Sequence, residues 1–177
     1  MNIKDSEGAL SDLNKFIQLE PKDKMAYFFR ANIKHELGYT KQAIDDYLKV
    51  IELDQKYMEA YYKLALIKHD MNQVDAAIGH YTDLIKILPY NTIAYMKRGI
   101  YYLELNQFRQ ALDDFDKALN LNPNEKEAYL QRGITKIKLN DLEGACMDLK
   151  IAEKVGIKAA SEYIKKSCKK DVHNFIK

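Results

Sequence analysis

The chain repeats itself every 34 residues, and this period limits the possible folds more than any other feature of the sequence. The three prolines, Pro21, Pro89 and Pro123, are separated by two periods and by one period. Alanines and tyrosines keep the same spacing, at Ala9, Ala43, Ala77, Ala111, Ala145, Tyr27, Tyr61, Tyr95, Tyr129 and Tyr163. Such a period is typical of an array of small stacked units rather than of one globular core.

Each period contains two stretches with helical spacing of apolar and small residues. In the first stretch Tyr95, Gly99 and Tyr102 follow one another at i, i+4 and i+7, and a second stretch runs over residues 111–121. A proline after the second stretch ends the helix, because proline cannot continue a helix interior. We therefore predict a helical hairpin for each period. Its arms of about 14 residues must stack on neighbouring hairpins to bury their apolar faces.

This pattern resembles that of the tetratricopeptide repeat family, which has an aromatic residue at repeat position 4, a small residue at 8, alanine at 20, an aromatic residue at 24 and proline at 32. The repeats begin at Lys24, Met58, Thr92 and Lys126. Position 8 is then small throughout, with Ala31, Ala65, Gly99 and Gly133. Tyrosine replaces tryptophan at position 4, and Gln55 stands in place of a proline. The resemblance implies an all-α fold, a right-handed superhelical solenoid of stacked antiparallel helical hairpins with about ten helices.

The resemblance divides this single domain into four full repeats between two partial ones. The full repeats are residues 24–57, 58–91, 92–125 and 126–157. Residues 3–22 match only the second helix of a repeat. Residues 158–177 match only a closing first helix, with Tyr163 at position 4. The opening helix therefore lacks the partner that would cover Leu10, Leu13 and Ile17. We expect an apolar patch there, either because the chain is a fragment of a longer array or because this face docks on another chain.

Repeat positions 7 and 23 vary together along the chain. The pairs at these positions are Arg30 with Asp46, Arg98 with Asp114 and Arg132 with Asp148, while the second repeat has Leu64 and His80. We predict that each arginine–aspartate pair joins the two helices of one hairpin by charge-assisted hydrogen bonds. Pairing each aspartate with the arginine of the following repeat fits less well, because Asp46 would then face Leu64.

The sequence predicts no catalytic site, no cofactor and no metal site. It has no glycine-rich phosphate loop, and His35-Glu36 lacks the second histidine of a zinc-binding helix. His35 and His69 share a repeat position, but no further ligand is evident, so we interpret them as polar residues of a groove. Cys146 replaces an aliphatic residue and is expected to be a small core residue; a disulfide with Cys168 is the less favoured alternative. Two widely spaced cysteines suit a reducing compartment, and we expect the cytoplasm.

Charge and hydropathy exclude two classes of partner. A formal net charge of +2 is too small to suggest a nucleic-acid binder. No run of about 18 apolar residues is present, so no membrane-spanning helix is predicted.

The resemblance further implies that the first helices of stacked repeats line a concave groove. The candidate partner-binding residues at these groove positions are Phe28, Asn32, His35, Tyr62, Lys63, Leu66, His69, Met96, Lys97, Ile100, Leu103, Leu130, Gln131, Ile134 and Ile137. Other positions are expected to hold the hairpins together, so this apolar stripe is left for a partner. The competing interpretation is that superhelical closure or the final helix fills part of it.

The groove lacks the two-carboxylate clamp with which co-chaperones of this family hold chaperone tails. That clamp has lysine, two asparagines, lysine and arginine where this chain has Phe28, Asn32, Lys63, Ile93 and Lys97. The sequence therefore predicts a non-enzymatic scaffold that binds an apolar or amphipathic peptide or helix of a partner protein. One alternative is a self-assembly module, a homo-oligomer formed through residues 5–19. Another is the regulatory part of a longer protein.

Overall fold

The computed structural model describes residues 3–168, and all regular structure in that range is helical. Its ten helices are α1 Ile3–Leu19, α2 Lys24–Glu36, α3 Thr40–Leu53, α4 Met58–Asp70, α5 Val74–Ile87, α6 Thr92–Glu104, α7 Phe108–Leu121, α8 Lys126–Lys138, α9 Leu142–Lys154 and α10 Ala159–Ser167. The all-α fold of helical hairpins is confirmed, and each full repeat begins with the first residue of a helix. Over the described range, no helix has the length and apolar character needed to cross a membrane.

The chain forms two compact units. The N-terminal unit is Met1–Pro89 and contains α1–α5, and the C-terminal unit is Tyr90–Lys177 and contains α6–α10. Within each unit the two helices of a hairpin pack against each other, and the second helix of one hairpin packs against the first helix of the next. Each hairpin therefore buries its apolar face partly inside itself and partly on its neighbour.

Small residues allow the helices of a hairpin to approach closely. The repeated alanines Ala43, Ala77, Ala111 and Ala145 are completely buried. A Cβ atom added to Gly99 would lie 2.8 Å from the ring of Phe115, closer than side-chain atoms normally come. The small residue at repeat position 8 thus makes room for the large residue at position 24.

The turn inside each hairpin has the same backbone conformation in every full repeat. Asn72, Asn106 and Asn140 have φ angles of 61°, 57° and 62°, and Gly38 at the same repeat position has a φ of 83°. Asparagine and glycine are the residues that tolerate this left-handed conformation best. Asn106, between the two helices of its hairpin, therefore lies in a turn of fixed geometry.

The predicted arginine–aspartate pairs within hairpins are confirmed. Arg98 donates hydrogen bonds from Nε and Nη2 to the two carboxylate oxygens of Asp114, at 2.8 and 2.7 Å. The other two pairs have the same two-bond geometry, in Arg30 with Asp46 and in Arg132 with Asp148. The hydrogen bonds to Asp114 raise the pKa of Arg98, so the guanidinium stays charged although it is half-buried.

Arg132 and Arg30 also contact the helix that precedes their own hairpin. Arg132 donates from Nη1 to Asp116 of α7 at 2.7 Å. Arg30 donates from Nη1 to Asn14 of α1 over the same distance. These arginines therefore join three successive helices, two within a hairpin and one before it.

The last helix departs from the 34-residue period. Ala160 takes the place of Ala128, since both are completely buried and each amide N–H donates to the carbonyl three residues earlier at 3.1 Å. The residue equivalent to Tyr129 is then Ser161, and the prediction that Tyr163 occupies position 4 is wrong. The second helix α9 has only 13 residues. Equivalent positions in α10 therefore come earlier in the sequence than the 34-residue period predicts.

The two cysteines form a disulfide. Cys146 of α9 and Cys168, which follows α10, are bonded, with their Cα atoms 5.7 Å apart. The prediction of an unpaired core residue at Cys146 is therefore wrong, because the shifted register of α10 brings Cys168 to it. Cysteine usage consequently gives no support for a reducing compartment.

The opening helix exposes apolar side chains, but not the expected ones, since Leu10 and Leu13 are half-buried. Ile17 is buried in the structure, so the expectation that it is uncovered is wrong. Phe16 is 44% exposed, and Leu19 is exposed as well. The residues at the same repeat position as Phe16 are completely buried, namely Val50, Leu84, Ala118 and Ala152. Among the described residues, α1 thus lacks the cover that the other second helices have.

Candidate functional site

The candidate partner-binding residues all lie on the first helices of hairpins. In the N-terminal unit, α2 and α4 carry Phe28, Asn32, His35, Tyr62, Lys63, Leu66 and His69. In the C-terminal unit, α6 and α8 carry Met96, Lys97, Ile100, Leu103, Leu130, Gln131, Ile134 and Ile137. The two sets differ in how much of their apolar surface is open to solvent.

An aromatic cluster in the N-terminal unit supports an exposed ring on α2. The ring of Phe28 meets Tyr47 and Tyr57 edge-on, with centroids 5.8 and 5.1 Å away. Phe29 contacts Phe28 at a centroid distance of 6.2 Å and is 51% exposed. Phe28 therefore belongs to the packed core, and Phe29 presents an apolar ring to solvent from a rigid base.

The neighbouring first helix adds an aliphatic side chain and polar groups. Leu66 of α4 is 45% exposed. Tyr62 is half-buried, with its ring centroid 5.9 Å from that of Tyr81. Lys63 and His69 are half-buried, and Nδ1 of His69 lies 3.8 Å from a carboxylate oxygen of Asp70. This face of α4 thus combines one open apolar residue with polar ones.

Asn32 is held in place by the core. The hydroxyl of Tyr47 donates a hydrogen bond to Oδ1 of Asn32 at 2.6 Å. Burial raises the pKa of Tyr47 to about 12, so its hydroxyl remains protonated and able to donate at neutral pH. The orientation of the Asn32 amide is therefore fixed before any partner arrives.

Two apolar candidates in the C-terminal unit are core residues. Met96 and Leu130 are each 6% exposed. Met96 packs in a cluster with Ala111 and Phe115, and Leu130 packs in another with Leu149. The expectation that groove positions are not needed to hold the hairpins together is therefore wrong for these two residues.

The remaining apolar candidates of this unit are half-buried. Ile100 and Leu103 pack against the cluster of Phe115. Ile134 and Ile137 pack against the cluster of Leu130, which also receives side chains of α10. The competing interpretation, in which the final helix fills part of the stripe, therefore fits α8.

The polar candidates of the C-terminal unit are more accessible. Lys97 is exposed, and Gln131 is half-buried and donates from Nε2 to a carboxylate oxygen of Glu127 at 2.7 Å. In the described part of the chain, no group of three or more histidine, cysteine, aspartate or glutamate residues is placed to hold a metal ion.

Three exposed apolar residues on first helices are absent from the set of candidate partner-binding residues. Phe29, Met25 of α2 and Ile93 of α6 are all exposed. They occupy repeat positions 2 and 6, which belong to the groove positions of the family pattern. A search of all groove positions for apolar residues would have found them.

Two open pockets lie outside the candidate residues. One, of ≈ 420 Å³, is lined by α3, Tyr61 and α5, with Leu48 and His80 at its wall. The other, of ≈ 280 Å³, lies beside Tyr129 and Ile151. Neither pocket includes a candidate partner-binding residue.

Family comparison agrees with the observed hairpins. Models described as tetratricopeptide repeat match residues 92–125 and 59–89, and a model described as TPR repeat matches residues 31–72. The chain belongs to the tetratricopeptide repeat family, whose members are typically interaction scaffolds. No relative is found among curated proteins.

Solved structures share the fold. MamA is 23% identical with a TM-score of 0.74, covering 89% of this chain and 92% of its own. YrrB, described as a TPR protein with an unusual peptide-binding site, is 19% identical with a TM-score of 0.72, covering 93% and 85%. The first TPR of Spaghetti (RPAP3), bound to the HSP90 peptide SRMEEVD, is 26% identical with a TM-score of 0.61, covering 64% and 91%.

Proposed function

We propose that this protein is a non-enzymatic scaffold that binds an apolar or amphipathic peptide or helix of a partner protein through the first helices of its hairpins. Family membership supports the general class of interaction scaffold. The similarity to YrrB and to the peptide-bound domain of Spaghetti supports a peptide ligand. The cytoplasmic location stays a prediction.

The exposed ring of Phe29 carries this proposal. It is 51% exposed although it rests on the packed ring of Phe28. An ordered aromatic side chain gives a partner a large apolar contact and loses little conformational freedom on binding. Leu66 of α4 offers a second apolar contact. Lys63, Glu36 and Asp70 would set the direction of the bound segment by charge.

A chaperone tail held by its carboxylates is not the ligand that we propose. The Spaghetti domain binds an HSP90 peptide, but this chain has Phe28 where the carboxylate clamp has a lysine. Phe28 is packed against Tyr47 and Tyr57 and has no charge to offer. Ile93 replaces a second lysine of that clamp. An apolar segment matches these residues better than a terminal carboxylate does.

Selection from a random peptide library on the full chain tests the proposal. We expect selected peptides to bind wild type and to bind Phe29→Asp and Leu66→Asp at least about tenfold more weakly, because a charge would face an apolar ligand. Fluorescence anisotropy of labelled peptides measures this affinity.

Leu48→Asp is the matched control for both variants. Leu48 is 47% exposed, like Leu66, but lies on the second helix α3. Leu48→Asp introduces the same charge on a second helix instead of a first helix, and it should leave peptide binding unchanged. Peptides whose binding is equal for wild type, Phe29→Asp and Leu66→Asp would contradict the proposal.

Self-assembly through α1 is a second candidate function, favoured by the exposure of Phe16. The ring is 44% exposed, whereas its repeat equivalents are completely buried by neighbouring helices. A second copy of the chain would cover this face in a homo-oligomer formed through residues 5–19. A regulatory role within a longer protein stays a prediction.

A further inference from the structure

The closing helix α10 depends on its contacts for its order. It has nine residues, and Lys158 before it provides no side-chain hydrogen bond to its first turn. Helices shorter than about 12 residues are barely stable alone in water. Packing on α8 and α9 and the disulfide to α9 therefore maintain α10.

The two halves of α10 are held by different means. In the first half Ala160 is completely buried, and the hydroxyl of Ser161 donates to a carboxylate oxygen of Glu153 at 2.5 Å. In the second half Lys165 and Lys166 are exposed, and no side chain there is fully buried. The bond from Cys168 to Cys146 is thus the strongest tie on the second half of the helix.

We propose that the Cys146–Cys168 disulfide is a redox-controlled latch on α10. Both cysteine residues are half-buried rather than buried, so a dithiol reductant can reach them. In thiol–disulfide exchange the bond between the two sulfur atoms breaks, and Cys146 and Cys168 each become a thiol. The two electrons and two protons come from the reductant, whose own two thiols become a disulfide. A disulfide oxidant reverses the reaction.

Opening the latch uncovers part of α8. Ile134 and Ile137 pack into the same apolar cluster as Tyr163 and Ile164 of α10. When the second half of α10 is no longer tethered, it leaves this cluster, and the two isoleucines become accessible. Both are candidate partner-binding residues, so reduction would open additional apolar surface on the C-terminal unit to a partner. This last consequence rests on the proposed function, whereas the opening itself does not.

Hydrogen exchange of the full chain, followed by mass spectrometry, tests the latch without any ligand. The chain is compared after oxidation with glutathione disulfide and after reduction with dithiothreitol. We expect backbone amides of residues 163–167 to exchange at least about tenfold faster in the reduced chain, since the bond no longer restrains them. Amides of α6 and α7 should not respond and serve as an internal reference.

Three variants complete the experiment. Cys146→Ser and Cys168→Ser should show fast exchange in α10 under both redox conditions, because either change removes the bond. Ser167→Ala is the matched control, since it alters the neighbouring residue and should keep the full redox response. The latch is refuted if both cysteines of the oxidised wild type react with iodoacetamide. Equal exchange of residues 163–167 in the oxidised and reduced chains would refute it as well.

Discussion

At the scale of single residues, the second hairpin replaces an ionic contact by an apolar one. In the first hairpin Arg30 joins Asp46 of its own second helix to Asn14 of the preceding helix. The corresponding residues are Leu64 and His80 in the second hairpin and Leu48 on the preceding helix α3. Leu64 is completely buried, so a hydrocarbon fills the space of a guanidinium. Such a replacement is often neutral or stabilising, because no charge has to leave water.

This replacement makes the second hairpin sensitive to acid. Burial, followed by the charge of Lys68, lowers the pKa of His80 below its usual 6.5, and Asp83 opposes this change. The unfolded chain then takes up the proton more readily than the folded chain. This contribution to the free energy of unfolding is complete above pH 6.5 and is lost as the pH falls through the lowered pKa. For each unit by which the pKa of His80 in the folded chain lies below that in the unfolded chain, the free energy of unfolding lost in acid is roughly 1.4 kcal/mol.

Urea unfolding between about pH 5 and pH 7.5 measures this effect. His80→Gln should remove this part of the loss, since glutamine does not titrate. His35→Gln removes a histidine from the first hairpin and is the control. Parallel loss of stability in wild type and His80→Gln would show that protonation of His80 is not responsible.

A second prediction at the residue scale concerns the close contact at Gly99. In Gly99→Ala the new methyl group would lie 2.8 Å from the ring of Phe115, which is completely buried and has little room to move. Overpacking of a core typically costs about 1–3 kcal/mol, which exceeds the helix-propensity gain of about 1 kcal/mol. We therefore expect a lower free energy of unfolding, measured by urea denaturation.

Gly79→Ala provides the matched control on α5. A Cβ atom at Gly79 has no neighbour within 4 Å, so only the gain in helix propensity remains. This variant should be more stable than wild type by up to about 1 kcal/mol. If both alanine variants proved equally stable, the ring of Phe115 would have to move aside without loss.

At the scale of helices, local pattern was enough to place the hairpins. The helical spacing of apolar residues, the prolines and the small residues all act within one repeat, so the first helices begin at Lys24, Met58, Thr92 and Lys126 as counted. The arginine–aspartate pairs were predictable for the same reason, since both partners belong to one hairpin. Each full repeat is flanked by repeats of the same pattern, so the sequence of one repeat was enough to place its helices.

Burial and the register of the closing helix could not be predicted from local pattern. Met96 is buried by side chains that surround it, among them Phe115, and the helical spacing of its own segment does not show these contacts. The register of α10 depends on the length of α9. Tyr163 follows Tyr129 by one 34-residue period, so the sequence spacing alone suggests the wrong register. The disulfide depends on that register. The sequence pattern therefore did not favour the bond between Cys146 and Cys168.

At the scale of the whole molecule, the exposed face of α1 predicts association between copies. The mass from light scattering coupled to size-exclusion chromatography should rise above the monomer mass of 20.6 kDa over a concentration range of about a hundredfold. Phe16→Asp should hold the chain at the monomer mass, because it places a charge on the apolar face. Leu48→Asp is the control of equal charge. A constant 20.6 kDa for wild type at every concentration would contradict self-assembly.

The arginines that span three helices have a consequence for how such a gene can change. The hairpin turns share one backbone conformation, so recombination at a turn leaves the local geometry intact. Arg132, however, requires an acceptor on the helix before its own hairpin, which Asp116 supplies. Placed after α3, the same hairpin would set Arg132 beside Leu48. The contacts between hairpins therefore constrain the order of the repeats, even though each repeat has the same hairpin geometry.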